Sequence, residues 1–237
     1  MTSPWLAFWN SSHSIYVNAR HKDVHYRQIA EQIAALVPSR QARMLDYGSG
    51  EALHADLIAA STGELLLCDA APRVRAAIAA RFKQNKADQN TAKIRVIAPE
   101  EVERLPEHSL DFIVVHSVVQ YLTAAEAGTL FALFHRLLKL GGVLLVSDVI
   151  PPHTPATTEA AELLRFAAGN GFLTAALFGL ARTLMSNYVR LRTRIGLNCY
   201  AEPTMLAELA AAGFTAQRLP KNIGHSRARM AFIARSR

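Results

Sequence analysis

Between residues 40 and 150 the chain alternates short apolar runs with segments in which apolar residues recur every three or four positions. The runs "ARMLDY" (42–47), "ELLLCD" (64–69), "KIRVIA" (93–98), "LDFIVVH" (110–116) and "GVLLVSDVI" (142–150) have the length and branched-residue content of buried strands. Residues 52–60, 72–84 and 123–139 carry the helical period, and the last segment opens with Thr123-Ala-Ala-Glu126, a capping-box pattern. Upstream, Ile29, Ile33 and Val37 predict a helix over 22–37 that Pro38 ends. Strand-helix alternation of this kind implies parallel strands joined by right-handed crossovers, hence a doubly wound α/β sheet.

The last third breaks the rhythm. Pro151, Pro152 and Pro155 close the fifth strand, and residues 158–195 read as helical with an interruption at the "GNG" of 169–171. A helix at 203–212 ends at Gly213, and "FTAQRL" and "ARMAFIAR" follow as strands. The connection between them, "PKNIGHSR", is too short for a helical crossover, so it predicts an antiparallel pair. The expectation is a Rossmann-like, seven-stranded sheet, mostly parallel with an antiparallel terminal strand. It occupies one domain over 1–237, with an N-terminal cap (1–38) and a helical insertion (151–202) able to form a substrate lid. No repeats or low-complexity segments are evident.

Composition narrows the class. At 237 residues, 51% hydrophobic and 19% charged, the chain is globular and long enough to bury a sizeable core. A formal charge of +7 permits an anionic partner without selecting one. Cys68 and Cys199 lie far apart with no CxxC pair, which indicates neither a disulfide framework nor a cysteine zinc site, and no metal is expected. A reducing cytoplasm is the simplest home. The N-terminus lacks the basic start and long apolar core of a signal peptide. "GFLTAALFGLARTLM" (171–185) is too short to span a bilayer and contains Arg182, so it reads as a buried or lid helix.

In an open parallel sheet, ligands bind beyond the carboxyl ends of the strands. Gly48 and Gly50 end the first strand, where missing side chains let backbone approach a ligand, and Asp69 ends the second, where a carboxylate can accept from both ribose hydroxyls. The stretch Gly48-Ser-Gly50-Glu-Ala-Leu53 lacks the third glycine of a dinucleotide fingerprint, and no GxxxxGK[ST] occurs. Asp46 would repel a pyrophosphate but suit an ammonium or sulfonium group. These departures move the reading toward S-adenosylmethionine and leave a nicotinamide dinucleotide a poor third choice.

"MLDYGSGEA" resembles the first motif of class I S-adenosylmethionine-dependent methyltransferases, hydrophobic-hydrophobic-Asp-x-Gly-x-Gly, with Ala52 at the family's third glycine. "LLLCDAAP", "LPEHSLDFIVVHSVVQYL" and "LLKLGGVLLVSDV" resemble its second-strand, fourth-strand and fifth-strand segments in family order, with Leu140 where the family often has proline. The most specific set is Asp46, Gly48, Gly50, Asp69, Asp111 and Gly141-Gly142. The resemblance assigns Asp46, Gly48, Ser49 and Gly50 to the methionine portion and Asp69 to the ribose, with Ala70 beside it. Glu101, aligned on Leu105-Pro106, goes to the adenine amino group, with Glu100 the alternative. His116 and Ser117 stand where cofactor and substrate meet. The aromatic N-terminal segment resembles the variable cap of small-molecule members, with Tyr16 and Arg20 closing over the methionine carboxylate.

Methyl transfer needs positioning and, for a hydroxyl or protonated nitrogen, removal of a proton. His13, His25, His116 and His225 are the candidates compared, and His116 and His225 are the catalytic bases expected. Arg190, Arg192 and Arg194 beside an apolar helix suggest an apolar acceptor with an anionic group; a core helix with a solvated basic end is the plainer alternative. The leading expectation is methyl transfer to a small or lipid-like acceptor in biosynthesis, with no nucleic-acid partner, no membrane span and a homo-oligomer left open. The alternatives are a nucleic-acid methyltransferase, although no Asn-Pro-Pro-Tyr signature or RNA-binding module is present, and a non-catalytic binding protein on the same fold.

Overall fold

The computed structural model of the chain describes residues 4–11, 15–84, 90–183 and 192–237. Seven strands form one sheet: β1 (Arg43–Tyr47), β2 (Glu64–Cys68), β3 (Ile94–Ile97), β4 (Leu110–His116), β5 (Leu138–Val149), β6 (Phe214–Arg218) and β7 (Met230–Ser236). Their order across the sheet is β3-β2-β1-β4-β5-β7-β6. Every neighbouring pair from β3 to β5 is parallel, and β7 runs antiparallel to both β5 and β6. The sequence expectation of a mostly parallel sheet with one reversed terminal strand therefore holds. The reversed strand is inserted between β5 and β6 and is not the edge.

Period-2 alternation divides the core between the two faces of the sheet. Leu45, Leu66, Ile113 and Val115 face one way and pack with Phe131 and Phe134 of α6 (Ala124–Leu137) and Leu209 of α9 (Glu202–Ala211). Met44, Leu65, Leu67, Phe112 and Val114 face the other, against Ile29 and Ile33 of α2 (Ala19–Ala34), Ile58 of α3 (Ala55–Ala59) and Ile78 of α4 (Pro72–Gln84). Burial on both faces explains why the strands read as continuous apolar runs. Helix α6 begins with the expected capping box, the Thr123 hydroxyl accepting from the Glu126 amide and the Glu126 carboxylate accepting from the Thr123 amide.

Local differences from the expected boundaries have local causes. Helix α3 starts at Ala55 and not at 52, because Ala52 adopts φ +44° to turn the chain out of β1. Strand β5 starts at Leu138, running through Gly141 at φ +74°. Two short helices were not expected: α1 (Pro4–Trp9), within the aromatic tail, and α5 (Pro99–Glu103).

Among its described residues the insertion carries α7 (Ala156–Asn170) and α8 (Leu173–Thr183), separated by Gly171 in the left-handed conformation at φ 72°, which terminates α7 at the predicted interruption; positions 184–191 of the expected helical stretch lie outside the described residues. Ala167, Phe172 and Ala176 form a small core that Val17 and Val24 cover, fastening the insertion to the N-terminal segment. Helix α8 is only half covered. Leu177 and Phe178 stand exposed on its outer side, so it is not a buried helix. Among the described residues no helix is long and apolar enough to cross a membrane.

Phe112 is fully buried at the centre of the sheet, beside Met44 on β1 and Val143 on β5. Phe112→Ala should cost about 3–5 kcal/mol of stability, measured by urea denaturation. A loss under about 1 kcal/mol would show that this seam does not anchor the core.

Candidate functional site

Parallel pairing brings Tyr47, Cys68 and His116 to one edge of the sheet, and β1 leaves that edge through the two glycines. The amides of Gly48 and Ser49 both donate to the Cys68 carbonyl, at 2.7 and 3.0 Å. Gly48 has φ +82°, and a Cβ there would stand 2.3 Å from Val118 Cγ2; at Gly50, φ +56°, it would stand 2.8 Å from the Tyr26 hydroxyl. Both positions therefore require glycine for conformation and for space. Asp69 fixes the turn from the side: its carboxylate accepts from the Gly50 amide at 3.0 Å and from the Ala71 amide at 2.8 Å. The Tyr26 hydroxyl accepts from the Glu51 amide at 3.0 Å, and Arg81 donates to the Glu51 and Ala52 carbonyls.

Asp46 lies beneath this turn, buried, with burial and the repulsion of Asp69 pushing its carboxyl up to about 7. No hydrogen bond offsets that cost. Burial also raises Asp69, opposed by the Ala71 and Gly50 amides and by Arg75. The Ser49 hydroxyl oxygen is enclosed without a hydrogen-bond partner. Two neighbouring carboxylates, one of them unpartnered, make this end of the sheet a place for a cation.

A second cluster sits at the ends of β4 and β5. Ser117 and Asp148 both hold positive φ, 57° and 61°, and the Ser117 hydroxyl donates to the Asp148 carboxylate. Non-glycine residues in this region are strained, and such strain gathers at functional sites. Asn222 accepts from the Asp148 amide at 3.0 Å and donates to its carboxylate at 3.3 Å. Burial alone would raise the Asp148 carboxyl, but Arg229, His116, Ser117 and Asn222 bring it below the usual range. Arg229 also pairs with Glu159 at 2.7 Å, and Glu159 receives both terminal nitrogens of Arg192 at 2.7 and 3.2 Å. His116 Nδ1 lies 3.0 Å from the Ser147 hydroxyl, and burial holds the imidazole below its ordinary pKa.

The N-terminal segment covers both clusters. The Trp5 ring lies 4.8 Å from that of Tyr121 and the Trp9 ring 5.8 Å from it, while Asn10 accepts from the Arg73 amide at 2.9 Å at the start of α4. Helix α2 is tied to the glycine turn by Lys22 with Glu51 at 2.5 Å and by Asp23 with His54 at 2.8 Å. Beneath this cover lies a cavity of about 530 Å³, the size of a small-molecule site. A chamber of about 290 Å³ adjoins it toward α7.

Of the residues expected at the site, Tyr16, Asp46, Gly48, Ser49, Gly50, Asp69, Ala70, His116 and Ser117 all line the larger cavity. His225 and His116 line the adjoining chamber, and His25 lines both spaces. Glu101 and Arg20 line neither space. The Glu101 carboxylate turns back to accept from the Ala98 amide at the start of α5, a capping role, and the exposed Arg20 donates to the Asn170 carbonyl at 2.5 Å. Glu100 is likewise exposed on α5 and lines neither space. Asp111 stands at the opposite, amino end of β4, accepting from the Arg43 amide and pairing with Lys139. Arg192 is engaged by Glu159 and Arg194 is exposed. His13 and Arg190 lie outside the described residues.

Sequence reading missed Asp148, Ser147, Asn222, Arg229 and Glu159. Asp148 had a signal, since "VSDV" closes β5 as "VVHS" closes β4. The others come from segments distant in the chain.

Asp46 has a consequence for stability. Its carboxyl titrates near 7 in the fold against an ordinary 3.8, so the protein loses stability as pH rises from about 4 to 7 and carries the full cost above 7. Asp46→Asn should stabilise by on the order of 1–3 kcal/mol at pH 8 and by much less at pH 4, followed by chemical denaturation. An equal gain at both pH values would show that the buried charge is not the cost.

Residues 45–146 match the family described as methyltransferase domain. The fold is similar to that of magnesium protoporphyrin IX methyltransferase (ChlM) from Synechocystis PCC 6803, solved with bound SAM, at a TM-score of 0.62 and 14% identity over 98% of this chain and 95% of that one. It is also similar to the YcgJ protein from Bacillus subtilis, with TM-score 0.61, 14% identity and coverage of 90% and 99%. A third likeness is to a putative O-methyltransferase from Nostoc punctiforme PCC 73102, with TM-score 0.60, 16% identity and coverage of 98% of this chain and 60% of that one. At such identities the likeness is one of fold. No curated protein gives a significant sequence match. The match over residues 45–146, together with the strand order and the glycine turn, makes the chain similar to methyltransferase domains over that segment.

Proposed function

We propose that the protein transfers a methyl group from S-adenosylmethionine to a small-molecule acceptor. The observation that carries this reading is the unpartnered, buried Asp46 carboxylate beside the Gly48–Gly50 turn, opening into a cavity of about 530 Å³. The residues present fit the methyl donor. Asp46 offers a counter-charge to its ammonium group, and the turn has no room for a Cβ at either glycine. Asp69 uses one lone pair on each oxygen for a backbone amide and retains others for the ribose hydroxyls. Val118, Tyr121 and Trp5 supply apolar and aromatic wall for an adenine.

The bound donor supplies an electrophilic methyl group on a sulfonium. The chain's own residues hold the acceptor in line with it, exclude water and receive a proton where the acceptor must lose one. The cap of α1 and α2 does the excluding. His116, kept neutral by burial and bonded through Nδ1 to Ser147, is available as a proton acceptor at the boundary of the two spaces. A cavity of this size with apolar and aromatic walls favours a small acceptor over a nucleic acid, which needs an open basic surface.

Calorimetric titration with S-adenosylmethionine, S-adenosylhomocysteine and NAD tests the reading: the first two should bind and NAD should not. Binding of NAD alone, or of none by folded protein, would overturn it. Asp69→Ala should weaken S-adenosylhomocysteine binding by about 1–3 kcal/mol, the worth of hydrogen bonds to a charged group. Unchanged affinity in a folded variant would remove Asp69 from the site. Because a cationic ligand favours ionised Asp46, affinity should rise between pH 6 and pH 8 in the wild type and lose that slope in Asp46→Asn. A slope that persists in the variant would place the titrating group elsewhere.

A further inference from the structure

The chamber next to the larger cavity is walled by an unusual set of side chains: His21, His25, His116, His225, Tyr16 and Ser226 all reach it. Four histidines invite a metal reading, yet among the described residues no group of three or more histidine, cysteine or acidic side chains has the arrangement to hold one. Their surroundings point elsewhere. The rings of His25 and His225 lie 5.6 Å apart, and each has its Nδ1 enclosed with no hydrogen-bond partner. An N–H on an enclosed nitrogen with no acceptor leaves its only bond unmade, whereas the same proton on Nε2 can donate into the chamber. The hydrogen-bond network thus assigns both rings the Nε2–H tautomer. The charged forms are held off as well: burial, then the neighbouring histidines, brings His25 down to about 3, and burial lowers His225. Stacking on Phe166, with ring centroids 4.6 Å apart and planes 17° from parallel, fixes the plane of His225.

The charges around the chamber are already matched. Asp148 is bound by Ser117, Asn222 and Arg229; Glu159 by Arg192 and Arg229; Glu162 by Arg165 and the Arg227 amide. An ammonium or carboxylate on the acceptor would enter a site whose opposite charges are engaged, so the chamber suits an uncharged molecule. Stacked side chains give it planar surfaces, with His21 on Phe172 4.9 Å apart and 18° from parallel as the second layer. His25 and His116 line both spaces, whereas His225 lines only the chamber. The reacting end of a ligand therefore lies by His116 and His25, and its far end by His225.

We propose that His25 and His225 are a pair of uncharged N–H donors for the methyl acceptor, a small uncharged ring compound with a hydroxyl and a second oxygen, and that His116 takes the hydroxyl proton. This deepens the methyltransferase reading and rests on it. In the reaction His116 donates its Nδ1–H to Ser147 and receives the acceptor's hydroxyl proton on Nε2. The electron pair of the broken O–H bond stays on oxygen, an oxygen pair forms the O–CH₃ bond, and the C–S bond breaks with its pair left on sulfur. The proton then passes from His116 to solvent. The His25 N–H holds the oxygen on which negative charge develops, and the His225 N–H holds the second oxygen at the far end.

The test uses the full chain saturated with S-adenosylhomocysteine and titrated with catechol, benzylamine and benzoate by calorimetry. Catechol should bind and the two charged probes should not. His225→Phe, which keeps the stacking ring, should weaken catechol at least tenfold while leaving S-adenosylhomocysteine affinity within twofold. Should that variant fail to fold, long-range ¹H–¹⁵N spectra of the wild-type histidine rings decide: His25 and His225 should both show the neutral Nε2–H pattern, and catechol should shift both. Binding of benzylamine or benzoate in place of catechol, catechol affinity unaffected by His225→Phe, or an Nδ1–H pattern in either ring would overturn the proposal while the methyltransferase reading stands. Failure of S-adenosylhomocysteine itself to bind would overturn that reading and this one with it.

Discussion

Parallel pairing from β3 to β5 is the constraint on which the site depends. Because those strands run the same way, their carboxyl ends finish at one edge, and the polar groups placed just past them must share a small region. Asp46, the glycines, Asp69, His116 and Asp148 are separated by up to a hundred residues in sequence yet line one cavity. The sheet decides that they meet. The backbone amides decide how closely: one carbonyl, that of Cys68, accepts from both Gly48 and Ser49, and Asp69 holds Gly50 from the far side. The turn is thus shaped by the neighbouring strand and not by its own sequence alone.

The legible part of the site is the part with local causes. Two glycines after an apolar strand, and an acid after the next one, announce themselves because each is required by the end of its own strand. The order of the parallel strands is legible for a similar reason, since apolar runs alternating with helical periods leave few topologies open. Glu101 shows the limit. Its spacing from Leu105-Pro106 fitted an adenine contact, but an acid at the third position of a short helix has a nearer use, accepting from the Ala98 amide. Arg20 has a partner of another kind: Asn170, on an insertion whose packing no local pattern reveals. The histidine cluster draws on α2, β4 and the loop before β7, with His25 and His225 two hundred residues apart, so no spacing could have disclosed it.

Net charge proved a poor guide to the site. The chain carries +7, yet the region around the chamber is close to balanced, with Asp148, Glu159 and Glu162 set against Arg229, Arg192 and Arg165. Arg229 is central to this arrangement because it touches two acids on different elements, Asp148 at the end of β5 and Glu159 on α7. Buried pairs of this kind contribute little net stability, but removing one member leaves an uncompensated charge. Their value here is positional: they fix α7 against the sheet and so fix the outer wall of the chamber.

The two spaces beneath the cap consequently differ in electrostatic character, although they share a wall. Around the glycine turn a carboxylate is buried at a cost and raised to about 7, an environment that rewards a positively charged visitor. Across His116 the acids are paired and the imidazoles are held neutral, an environment that penalises charge of either sign. A cation placed in the first space faces the ionised acids, while a proton released at the boundary meets a neutral ring and not a competing carboxylate. Separation of these roles needs no moving part. It follows from which polar groups the sheet leaves unpaired at the end of β1 and which it pairs at the end of β5.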